Sequence, residues 1–142
     1  MRDGWALAGA ALLWFSAPAA AQEPEVKLRV RPSPAFAACT ERANGVTADT
    51  LRCIGAEHRS WDARLNAAYR ALLNSDAHSG RAKNGLREAQ RRWISFRDAS
   101  CAAEGDLAAE GGTLATVLRA DCALRRTAQR AAELEAAASA RR

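Results

Sequence analysis

The chain has 142 residues, 26% of them charged and 49% hydrophobic, with a formal net charge of +5. A chain of this size buries one core without needing a second domain, so one domain is the economical reading. Its four cysteines include no CxxC spacing and its two histidines stand at no zinc-finger spacing, which sets metal binding aside. No GxSxG, HExxH or glycine-rich phosphate loop is present, so the chain reads as non-enzymatic with no cofactor.

The first stretch, residues 1–21, places Arg2 before an apolar run from Trp5 to Phe15 and ends on Ala19 and Ala21. That run is too short to cross a bilayer and has the form of a secretory signal peptide cut after Ala21. The mature chain would then be periplasmic or secreted, with no transmembrane segment and no lipid-attachment cysteine near its start. Export also removes nucleic acid as a partner for its positive charge. An even number of cysteines in an exported chain points to disulfides.

Residues 22–38 hold Pro24, Pro32 and Pro34 and read as an extended linker or arm, within which Val26–Arg31 alternates apolar and basic residues. The domain proper runs over 39–135. Helical spacing begins at Thr47 as a cap and carries Leu51, Ile54, His58, Trp61, Leu65, Ala68, Tyr69 and Leu72 to about Ser75. Gly55, inside this helix, suggests a kink or close contact near Cys53. A second helix spans about 81–108 and ends at Gly111-Gly112; Thr113 caps a third that reaches about Glu135. The alanine-rich end, 136–142, reads as a disordered tail. The expected fold is all-α, a small antiparallel three-helix bundle stapled by two disulfides.

Cys101 and Cys122 flank Gly111-Gly112 almost symmetrically, so a helical hairpin turning there sets the two sulfurs at one height. That leaves Cys39 for Cys53.

Arg97 shares a helix face with Gln90 and Trp93, one turn from Cys101. A buried guanidinium needs an acid, and Asp62 and Asp121 are the two on facing stripes. The expected polar core cluster is Arg97, Gln90 and Asn66 with one of them; the alternative has Arg97 reaching solvent past Trp93. His58 lies one turn from Asp62 and reads as structural.

Four segments together resemble the lysozyme inhibitor LprI-like N-terminal domain family. They are Cys39 with Cys53; Trp61-Asp62-x-x-Leu65-Asn66-x-x-Tyr69; Ala89-Gln90-Arg91-x-Trp93-Ile94-x-Phe96-Arg97-Asp98-x-x-Cys101; and Gly111-Gly112-Thr113 followed by Cys122, Thr127, Arg130 and Leu134. The resemblance implies a small helical disulfide-bonded exported domain, and lysozyme or another muramidase as the partner to be inhibited. The acids Glu104, Asp106 and Glu110, in the hairpin loop at 103–113, are the candidate contact. An alternative is a module that holds an anionic envelope glycan or lipid on the basic face formed by Arg87, Arg91 and Arg92.

Overall fold

The structure is a computed structural model that describes residues 30–140. The signal-peptide reading of 1–21 lies outside the described residues, as do most of the alternating arm and the last two residues of the tail. Four helices follow in order: α1 (Pro34–Ala43), α2 (Thr47–Asn74), α3 (Gly80–Ala109) and α4 (Gly112–Ser139). Among the described residues the all-α reading and both crosslinks hold, while the helices number four rather than three.

The extra helix begins inside the stretch read as an extended linker. Pro34 occupies the first turn, where its missing N–H costs nothing, and the Ser33 hydroxyl accepts from Phe36 N at 3.0 Å. The proline therefore starts a helix instead of preventing one. At the other end, residues 136–139, expected in the tail, continue α4. Two expected caps also differ. Thr47 lies within α2 after Val46, and the cap of α4 is Gly111, at φ 98°.

Helix α4 is the centre of the molecule. It packs most extensively on α2 and next on α3, while α1 rests on α2. The facing pairs His58–Thr127 and Arg64–Glu135 show that α2 and α4 run parallel, with antiparallel α3 connecting them. Ile54, Trp61, Leu65, Ala68 and Leu72 of α2 meet Leu124, Ala128, Ala131 and Leu134 of α4 in one buried cluster. Alanines on the α4 side let the two backbones approach closely. Each fully buried leucine or isoleucine contributes about 1.5–3 kcal/mol.

Two polar clamps accompany this packing, one between α2 and α4 and one between α2 and the start of α1. Arg64 donates Nε and Nη2 to the two oxygens of Glu135 at 2.8 and 2.7 Å, and its guanidinium lies 3.9 Å from the Trp61 ring centre. Glu57, buried one turn before Trp61, accepts from the Ser33 backbone N–H (3.0 Å), the Ser33 hydroxyl (2.6 Å) and the Trp61 indole (3.0 Å). Burial pushes the Glu57 carboxyl up, but these donors outweigh it and hold the group below the usual carboxylate range. Glu57 thus fastens the start of α1 onto α2.

The disulfides join Cys39 to Cys53 and Cys101 to Cys122, with Cα separations of 5.7 and 5.5 Å. The first ties α1 to α2 and the second ties α3 to α4. Of the three long helices α3 is the least embedded: its buried residues are Gln90, Cys101 and Gly105, and it barely touches α2. The bundle is therefore open along one seam.

Candidate functional site

Two features could meet a partner: the open seam between α2 and α3, and the α3–α4 hairpin tip. The seam is a cleft of ≈ 340 Å³. Asp62, Leu65, Asn66 and Tyr69 line it from α2, and Arg87, Gln90, Arg91, Trp93, Ile94 and Arg97 from α3. Both family-like segments of these helices thus converge on one place.

The expected core cluster is redistributed around this cleft. Arg97 is largely buried, but its acid is Asp98, the next residue, which accepts from Nε at 2.8 Å. Neither anticipated acid pairs with it. The splaying of α3 from α2 keeps Asp62 on the far wall, where it accepts from Asn66 Nδ2 at 2.9 Å. Asp121 lies on another side of α4, bonded to Arg125 in a groove with Val30, Phe36 and Trp61. Gln90 is buried and accepts from Arg130 Nε at 3.2 Å.

Thr127, fully enclosed, joins Arg97 to His58. Its hydroxyl oxygen is 3.2 Å from Arg97 Nη1 and 3.1 Å from His58 Nε2. Since Arg97 can only donate, the Thr127 hydroxyl is free to donate onward to the ring nitrogen, which requires neutral His58. Burial, followed by the nearby Arg97 charge, holds the His58 pKa below 6.5 and favours that form.

The basic face is partly neutralised by its own helix. Arg91 and Arg92 both pair with Glu88, and Arg87 donates to Asn84.

The hairpin tip is cross-braced. Beyond the Cys101–Cys122 bridge, Arg126 pairs with Glu104 and Arg119 with Asp106, so two of the three candidate acids brace α3 against α4. Glu110 sits at the turn in a left-handed conformation (φ 44°), followed by Gly111 and Gly112 at φ 98° and 76°. Gly105 lets the helices meet: a Cβ there would lie 2.4 Å from Arg119 Cγ and 2.9 Å from the Ala115 carbonyl oxygen. Gly55, by contrast, faces only the Arg59 side chain at ordinary contact distance and marks no close approach. Gly105→Ala is expected to destabilise the chain by about 1–3 kcal/mol despite alanine's better helix propensity, read as a lower denaturation midpoint.

What charge-based reading missed at this tip is apolar. Leu107 is 86% exposed and Leu114 58% exposed, one on each helix of the hairpin. Neither is among the buried residues of its helix, and both stand close to the double glycine. Among the described residues there is no group of acids, histidines and cysteines able to hold a metal, and no helix long and apolar enough to cross a membrane.

The described residues thus form a disulfide-stapled helical domain with a projecting hairpin tip and an open polar cleft. The family model for lysozyme inhibitor LprI matches residues 39–134, and the chain belongs to that family. An uncharacterized protein of Rhizobium meliloti (strain 1021) is 32% identical, with 87% of each chain covered. No solved structure matches the chain.

Proposed function

We propose that this protein is a non-enzymatic inhibitor of a muramidase in the cell envelope, and that the α3–α4 hairpin tip enters the enzyme's substrate cleft. Membership of the LprI family supports the inhibitor class. The observation that carries the choice of surface is the pair Leu107 and Leu114, held out on a tip stiffened by a disulfide and two ion pairs. An apolar knob fixed before binding loses little conformational freedom on docking. The turn carboxylate of Glu110 stands beside it, available to donors in the cleft.

Lysozyme turnover assays with the mature chain test the reading. Inhibition is expected, and Leu107→Arg should weaken it about 30-fold, the effect of losing one interface hot spot, while thermal stability stays unchanged because the side chain touches little. Absence of inhibition at large molar excess across chicken-type, goose-type and bacterial enzymes would overturn the function. Inhibition indifferent to Leu107→Arg would overturn the surface.

A further inference from the structure

The α2–α3 cleft holds a donor that the fold leaves unused. Gln90 is 6% exposed and its Oε1 is held by Arg130, which directs the amide nitrogen away from α4. Among the described residues Gln90 Nε2 has no hydrogen-bond partner, yet the side-chain atom both sealed from solvent and unbonded there is Arg119 Nε. The Gln90 amide therefore opens into the cleft that its side chain lines. Fixed by Arg130 and open to solvent on the cleft side alone, this amide is a positioned donor that an acceptor entering the cleft can take up in place of water.

The charges of the lining indicate which acceptor. Arg87, Arg91 and Arg97 face one carboxylate, Asp62. Arg97 is engaged with Asp98 and Thr127, whereas Arg87 and Arg91 sit exposed at the rim, each with guanidinium donors left over after bonding Asn84 and Glu88. Trp93 is not a free platform for a sugar ring or a base: Arg97 and Arg130 lie 5.2 and 6.0 Å from its ring centre. The volume, ≈ 340 Å³, suits a small molecule or one inserted side chain.

We infer that this cleft is a carboxylate-binding site, in which Gln90 Nε2 and the forks of Arg87 and Arg91 donate to the two carboxylate oxygens. Bidentate guanidinium–carboxylate bonding gives the site its preference for a planar anion. The inference is independent of the hairpin tip and would survive failure of the inhibitor reading.

Titration of the mature chain followed by NMR of the Gln90 side-chain amide tests it, with N-acetylglutamate and N-acetylmuramic acid as carboxylates and N-acetylglucosamine as the neutral control. The acids should shift the amide saturably, more weakly as salt is raised, and the neutral sugar should not. Gln90→Glu keeps an oxygen for Arg130 but replaces the donor by a negative charge, so the acids, followed then by the Trp93 indole resonance at a temperature where the variant is folded, should bind at least about 10-fold more weakly. Arg87→Gln with Arg91→Gln, both at exposed positions, should weaken them similarly. Stronger binding of the sugar acid identifies a glycan-derived carboxylate, and stronger binding of N-acetylglutamate an acidic side chain. Equal binding of the neutral sugar, acid binding indifferent to Gln90→Glu, or no binding of any probe would each overturn the site.

Discussion

Replacing Cys101 and Cys122 together by alanine is expected to lower the unfolding free energy by about 3 kcal/mol, from the loop that the bridge closes in the unfolded chain. For a domain of this size the melting temperature should fall by roughly 10 °C or more. The sulfurs join the two helices that form the projecting tip, and both cysteines are buried. Removing the bridge leaves the tip to weaker contacts, among them the exposed Arg126–Glu104 and Arg119–Asp106 pairs and the Gly105 approach. Surface ion pairs of this kind contribute at most about 1 kcal/mol each. Inhibitory potency should therefore drop with stability. The matching pair, Cys39→Ala with Cys53→Ala, closes a loop of similar size and should cost a comparable amount, but it frees α1 rather than the hairpin. Urea denaturation and the turnover assay, run on both double variants, separate the effects: loss of inhibition in both, at temperatures where both remain folded, would sink the tip as the contact.

Cysteine position was legible because a double glycine between two helical stretches fixes which residues come level. Helical periodicity likewise located the three long helices to within a few residues of their ends. Other features turn on information that periodicity does not carry. Prolines taken as breakers make 22–38 a linker, but Ser33 followed by Pro34 is a cap and a first-turn proline, and α1 starts there. Glu57 lies one turn before Trp61, but nothing in their spacing announces that Ser33, 24 residues earlier, supplies two of its donors. The partner of Arg97 was sought across the bundle on the premise that three helices close on one another. They do not close, since the walls contributed by Asp62, Asn66, Arg87 and Arg91 are polar and remain solvated. Asp98 instead reaches Arg97 along the same helix. Asp62, Asn66, Gln90 and Arg97 line one cleft, Asp121 lies in another groove, and the pairing anticipated among them does not form.

Thr127→Val should be the most damaging single methyl-for-hydroxyl exchange in the chain, costing about 2–3 kcal/mol. The valine fills the same space, so the loss isolates the hydroxyl, whose removal leaves a largely buried guanidinium nitrogen and a half-buried imidazole without their shared partner. The same network gives stability a defined dependence on pH. His58 has a folded pKa below its ordinary 6.5, chiefly through burial and then through Arg97, opposed by Asp62 and Asp98 and assisted by Arg59. Between the two values the unfolded chain binds more protons, so stability is full above pH 6.5 and is lost as pH falls through the folded value. Glu57 and Glu135 also have lowered values and lose stability in the same direction, but only below 4.5. Denaturant midpoints measured from pH 8 to pH 3 should show two successive losses. His58→Gln should remove the upper one and keep the lower. Thr127→Val should lower the whole curve while keeping both, because the burial of His58 and the charge of Arg97 remain. An upper loss that persists in His58→Gln would assign it to another group and detach the network from the pH response.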